Sequence, residues 1–210
     1  MAPPLTVQAR VTCFAPGQEA PVGQFQPGDF ILTHSNSLLA WLIRLGQSLR
    51  YWGKNRKYTR WSHAAIIVSD DGQLIEALAE GVVKTRLSDY KPTEYHLVHL
   101  DDSVANDRDR DQAVEFARRS VHDGYGWTTL VSIGLNLITG WKFTFCVDGQ
   151  FICSELVARC LERTSVIFDH IPQHISPAEL AKHFQVQPPP AGTAKGDPPP
   201  QRWLPRLSWR

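Results

Sequence analysis

Within "FICSELVARCL", residues 151 to 161, Cys153 stands where an apolar run meets a stretch that reads as a helix. A helix N-terminus carries unpaired N–H groups and partial positive charge, so it favours an anion. A thiolate is such an anion, and a cysteine placed there is lowered in pKa and raised in reactivity. The plainer alternative is a small apolar residue packed under a strand–helix joint. The nucleophile reading needs a base, and the chain offers eight histidines. His96 and His99 fall in the strand-like "YHLVHL", His122 sits beside Asp123 and Gly124 at a helix end, and His170, His174 and His183 belong to polar C-terminal turns. His34 opens a loop. His63 differs, because it heads the apolar run "HAAIIV", where a polar ring has no packing reason to be.

An imidazole acting as base benefits from a third group that fixes its tautomer and orientation. Glu76 is the charged residue inside "QLIEAL", and a carboxylate in that setting wants an N–H partner. The "DDG" between the two runs is a hairpin signal, since Asp and Gly tolerate positive φ. A two-residue Asp71–Gly72 turn pairs Val68 with Ile75 and Ile67 with Glu76. His63 and Glu76 then share a face but lie two or more pairs apart, and Glu80 falls opposite His63. A longer or bulged turn brings Glu76 closer. Glu76 leads as the orienting group, and Glu80 stands as its rival.

The elements that must position these groups are legible in outline. "PGDFILTH" is a turn feeding a strand from Phe30 to Thr33, and "SNSLLAWLIRLGQSL" has apolar residues at helical spacing. "NDRDRDQAVEFARRSV" reads as a helix presenting Ala113, Phe116, Ala117 and Val121 to a core, and "SPAELAKHF" as a helix capped by Ser176. "KFTFCV" is a further short strand before Cys153. Strands and helices mix without βαβ alternation and with a hairpin at the centre, which predicts an α+β fold with an antiparallel sheet. Residues 1–24 read as an irregular N-terminal arm, 25–186 as the folded domain and 187–210 as a Pro-rich flexible tail.

The balance of 22 basic and 21 acidic side chains argues against a nucleic-acid binder. The first residues lack the basic cluster and apolar segment of a signal peptide, which predicts a cytoplasmic protein. "WTTLVSIGLNLITGW", Trp127 to Trp141, is too short and too polar to span a membrane. Cys13, Cys146, Cys153 and Cys160 without an export signal suggest reduced thiols. The seven-residue spacing of the last three is wider than zinc-site pairs, so no metal or cofactor is expected. Cys160, seven residues on from Cys153, is expected in the core. From Phe30 to Ser69 there are no acidic residues, while Arg44, Arg50, Lys54, Arg56, Lys57 and Arg60 are basic and Tyr51, Trp52, Tyr58 and Trp61 are interleaved. That segment reads as a solvated loop with aromatic anchors, or as a rim that attracts an anionic substrate or membrane surface.

"PGDFILT", "WSHAAIIV", "LIEAL", "GYGWTTL" and "FICSELV", in that order, resemble the permuted papain-like hydrolases of the YaeF/YiiX type. These are relatives of NlpC-type cell-wall peptidases and of lecithin:retinol acyltransferases, and the resemblance spans about Phe25 to Phe184. It implies a circularly permuted papain-like (NlpC-like) fold in which the nucleophile-bearing helix packs on an antiparallel sheet. It implies Cys153 as nucleophile, His63 as base and Glu76 as orienter in a thiol amidase or peptidase. The family often carries another polar residue at the third position. In the mechanism so implied, the backbone N–H of Cys153 contributes to an oxyanion hole, and the loop His34–Ser35–Asn36 is a candidate second donor. Three classes of function follow: a cysteine hydrolase cutting amides, a lipid-directed acyl hydrolase or transferase, and a non-catalytic binding module on the same fold. The apolar run Leu130 to Ile138, the basic–aromatic segment 44–61 and the Trp-rich tail speak for the second. The expected partners are a small-molecule, peptide or lipid acyl substrate, with peripheral membrane contact through segment 44–61 or the tail, and no nucleic acid.

Overall fold

The computed structural model describes residues 9–34, 38–78, 81–121, 124–125, 150–151, 153–168, 170–172 and 175–188. Six strands form one antiparallel sheet: β1 (Arg10–Phe14), β2 (Phe30–Thr33), β3 (His63–Ile67), β4 (Gln73–Leu78), β5 (Gly81–Arg86) and β6 (Tyr95–His99). Their spatial order is β1-β6-β2-β3-β4-β5, which puts the strand headed by His63 inside the sheet. The α+β expectation is met, with helices α1 (Leu38–Arg50), α2 (Asp107–Arg119), α3 (Cys153–Leu161) and α4 (Pro177–His183).

Side chains alternate across each strand, so the sheet has two apolar faces. Phe30, Leu32, Ala64, Ile66 and Ile75 join a core that includes Ala113 and Ala117 of α2, Leu156 and Cys160 of α3 and Leu180 of α4. Ile31, Ala65, Ile67 and Leu74 face a second cluster with Phe14, Phe25, Leu87 and Tyr95. Burial on both faces explains why "FIL" and "AAII" are continuous apolar runs rather than alternating ones. Helix α3 packs on β3 and β4, and α2 packs on α3. A 3-10 helix, Gly53–Arg60, joins α1 to β3. Gln47 ties this corner together: its Nε2 donates to the Trp61 carbonyl at 2.8 Å, and its Oε1 accepts from the Ala178 N–H of α4 at 2.8 Å. Ser176 caps α4 by accepting from the Glu179 N–H at 3.2 Å.

One expectation needs correction, and one left open is decided. The stretch 1–24 is not wholly irregular, because Arg10–Phe14 pairs with β6 as an edge strand. Phe14 is buried there and the Ala20 N–H donates to the Tyr95 hydroxyl at 2.8 Å, so cross-strand packing overrides the Pro- and Gly-rich flanks. The hairpin turn is also longer than two residues. Val68 N–H donates to the Gln73 carbonyl at 2.8 Å, Ile66 pairs with Ile75 and Ile67 with Leu74. Ser69 to Gly72 form a four-residue loop, closed by Ser69 Oγ accepting from the Gln73 N–H at 3.0 Å. Gly72 takes φ +80° there, a conformation that side chains other than glycine rarely adopt. Among the described residues no helix is long and apolar enough to cross a membrane.

Candidate active site

The observed register moves Glu76 two places along the hairpin relative to a two-residue turn. Extended one step from Ile66↔Ile75, it sets Ala65 opposite Glu76. His63 and Glu76 then become diagonal neighbours on one face, within reach of each other's side chains. The His63 Nε2 does hydrogen-bond the Glu76 carboxylate. Glu80, the rival, lies outside the described residues.

Glu76 is only 2% exposed, and a carboxylate taken so far from water needs donors. It has three: His63 Nε2–H and the Tyr90 hydroxyl on one oxygen, and the Thr85 hydroxyl on the other. Thr85 belongs to β5. Tyr90 ends a short 3-10 helix, Leu87–Tyr90, and its ring stacks on the His63 ring at 6.3 Å between centroids and 12° between planes. Burial pushes the Glu76 carboxyl up, but the hydrogen bond and charge of His63, then Thr85 and Tyr90, outweigh it and hold the group below its ordinary value. Burial and the facing carboxylate push the Tyr90 hydroxyl well above its usual range, so it stays a donor.

Cys153 is the first residue of α3, as its position before "SELVARCL" predicts. With Nε2 of His63 bonded to Glu76, Nδ1 is the ring nitrogen left for the thiol, and the Cys153 and His63 side chains lie close enough to shift each other's pKa. Burial pushes the Cys153 thiol up, yet the charge and hydrogen bond of His63 and the backbone N–H groups of Ala64 and Ser154 bring it below its ordinary 9.0. Burial pushes His63 down, while the Cys153 charge and hydrogen bond, followed by Glu76, raise it to about 10. Both shifts favour a thiolate–imidazolium pair, backed by a carboxylate, over the neutral pair. Cys153 is 5% exposed and the His63 side chain 17%, so the pair sits just beneath the surface.

The other described thiols are set differently. Burial drives Cys160 to about 12, in keeping with a core position. Burial and Glu94 raise Cys13, which is exposed on the edge strand. Cys13, Glu94 and His96 hold their ligand atoms within 4.8 Å of one another. The Arg60 guanidinium lies 3.9 Å from the Glu94 carboxylate, so a positive charge already occupies that neighbourhood and fits a cation poorly. Of the loop considered for a second oxyanion donor, Ser35 and Asn36 lie outside the described residues. His34 is partly buried, edge-on to Trp61 at 6.3 Å, with its pKa lowered to about 4 by burial and by Arg60 and Arg44. Cys146, the run Leu130 to Ile138, and Trp203 and Trp209 also lie outside.

Sequence reasoning brought out all three members of the constellation and missed Thr85 and Tyr90. Thr85 could have been found as a polar residue facing inward from "VVKTR", once that run is paired with "QLIEAL". Tyr90 carries no such periodic signal. A scan of protein-family models finds none that matches the chain, and a search of curated proteins finds no match.

Proposed function

We propose that the protein is a cysteine-dependent acyl hydrolase, a thiol amidase or peptidase working through a covalent thioester, on a permuted papain-like fold of the YaeF/YiiX type. The observation that carries this reading is one continuous relay. A thiol at a helix N-terminus is coupled to a neighbouring imidazole, and that imidazole is bonded to a buried carboxylate. A structural cysteine has no need of a base, and a buried histidine can be satisfied without a thiol. The order of elements, with the histidine strand before the cysteine helix, is also the order of the permuted group.

In the reaction so proposed, Nδ1 of His63 holds the proton that leaves Sγ of Cys153. The thiolate attacks an amide or ester carbonyl, and a C–S bond forms as the carbonyl oxygen takes up negative charge. The Cys153 N–H, which has no intrahelical acceptor at the first position of α3, is the donor proposed to face that oxygen. On collapse the C–N or C–O bond breaks, and His63 Nδ1–H protonates the leaving group. His63 then takes a proton from water as it attacks the thioester, and Sγ leaves. Throughout, Nε2–H stays on Glu76, which fixes the tautomer and favours the imidazolium as charge develops.

Exposed apolar residues on α1 beside a basic groove favour a second substrate class, an acyl lipid, with the same thioester chemistry. The test is intact-mass analysis of the full chain after incubation with activated acyl esters, acyl amides and short peptides. An acyl adduct mapped to Cys153, absent in Cys153→Ser, is expected. Turnover of these probes by Cys153→Ser at the wild-type rate overturns the reading.

A further inference from the structure

Helix α1 and the 3-10 helix after it have a face that nothing in the catalytic reading uses. Trp41, Leu45 and Leu49 recur every fourth residue along α1 and are exposed, and Trp52, just past its end, is 79% exposed. The Trp52 indole N–H donates to the Leu49 carbonyl at 3.1 Å, which satisfies the polar edge and leaves the ring outward. Between α1 and the 3-10 helix runs a groove of about 350 Å³, with Trp41 and Leu45 among its walls and Arg44, Arg56, Lys57 and Arg60 around it. Lys54 and Arg50 add charge nearby, and no acidic residue occurs from Phe30 to Ser69. Among the described residues none of Arg44, Arg50, Lys54 or Arg56 forms an ion pair with a carboxylate of the fold.

Contiguous exposed apolar side chains rimmed by charge mark an interaction or membrane surface. Leucines and tryptophans at the level of basic side chains match a bilayer interface, where apolar groups sink to the acyl boundary and cations meet lipid phosphates. We infer that this face docks the protein onto an anionic lipid bilayer, with headgroup phosphates in the groove between Arg44 and Arg56. Charge decides the occupant. A neutral partner explains the apolar stripe but not six basic and no acidic side chains, and a nucleic acid explains the charge but not aliphatic Leu45 and Leu49 in the open. Arg60 lines the groove and His63 lies three residues further on, so the same segment that meets the headgroups leads into the relay. This deepens the lipid reading of the substrate, but docking itself needs no turnover, so either can fail without the other.

The experiment is flotation of the full chain with vesicles of phosphatidylcholine alone and of phosphatidylcholine mixed with phosphatidylglycerol, at low and high salt. Strong association with the mixed vesicles alone, weakened by salt, is expected. Lys54→Glu with Arg56→Glu, both exposed, should weaken it by roughly thirtyfold or more, from the contribution of each basic residue near a charged bilayer. Leu49→Ser with Trp52→Ser should weaken it by roughly tenfold or more through lost apolar burial. All four substitutions are on the surface, so thermal melts should match wild type. Equal binding to neutral vesicles, undiminished binding by both double variants, or loss confined to Trp203→Ser with Trp209→Ser overturns the inference. So does tight binding to an RNA oligonucleotide with none to vesicles.

Discussion

Replacing His63 with alanine tests the central electrostatic claim, that the imidazolium keeps Cys153 ionised against the pull of burial. Burial pushes this thiol up, and His63 supplies the leading opposing influence. Without the ring, the pKa should return at least to the ordinary 9.0. At pH 7 a thiol of that pKa is only about 1% thiolate, a loss of roughly a hundredfold from a fully formed ion pair. A thiolate of higher pKa is intrinsically more nucleophilic, with a Brønsted slope of about 0.4–0.5, so part of the loss returns. The net expectation is a fall of about tenfold or more in labelling at pH 7. The assay is limited iodoacetamide labelling with peptide mapping across pH 5 to 10. In the wild type Cys153 should label ahead of Cys13 and Cys160, with a rate less steeply dependent on pH than that of an ordinary thiol. In His63→Ala the rate should climb steadily with pH. Glu76 keeps its Thr85 and Tyr90 donors in the variant, and a thermal melt checks that the fold survives. Wild-type labelling of Cys153 in His63→Ala at pH 7, or faster labelling of Cys13 in the native protein, would refute the reasoning.

Glu76→Gln should lower turnover of an acyl probe by roughly tenfold to a thousandfold while leaving the melt and substrate binding largely intact, whereas Glu80→Gln should be harmless; the reverse pattern assigns the orienting role to Glu80. Tyr90→Phe removes one hydroxyl donor from a buried carboxylate and should cost about 1.5–3 kcal/mol in urea denaturation, and a neutral result would show that water replaces it. Turnover should fall on the acid side as the lowered Cys153 thiolate is protonated, and on the alkaline side as His63 loses its proton near about 10; a single limb centred on an ordinary histidine would show that no ion pair forms. Ending the chain after Pro188 should leave the melt unchanged, because the Pro-rich tail has little apolar surface to offset ordering entropy. Ending it before Val186 should cost about 1.5–3 kcal/mol, since Val186 is fully buried; equal melts for the two truncations would refute this.

The three groups of the constellation were legible because His63 and Glu76 are polar residues in apolar strands and Cys153 stands at a helix start. His63 heads "HAAII", Glu76 interrupts "QLI…AL" and Cys153 opens a helix after "QFI". Distance between them was not legible, because it depends on the turn. "DDG" identifies a hairpin but not its length, and a change from two loop residues to four slides one strand past the other by two positions. Parity is preserved by such a shift, so the shared face of His63 and Glu76 could be inferred while their separation could not. The donors around Glu76 depend on a further level. Thr85 comes into range because β5 pairs with β4 so that Leu74 meets Thr85 and Glu76 meets Val83, and Tyr90 because a 3-10 turn folds its ring back over His63. Tyr90 leaves no periodic trace in sequence, and Thr85 shows as inward-facing only once its strand is paired with β4. The same holds for β1: five residues at a sheet edge, of which Phe14 alone is buried, look like a loop until β6 is there to pair with them. Residue chemistry thus identifies what must be satisfied, such as a buried carboxylate needing three donors, and the register decides which neighbours satisfy it. A buried Glu76 that had found only His63 would be a strained and costly group. With Tyr90 and Thr85 also bonded, it stays charged in the core and can hold a histidine protonated next to a thiolate.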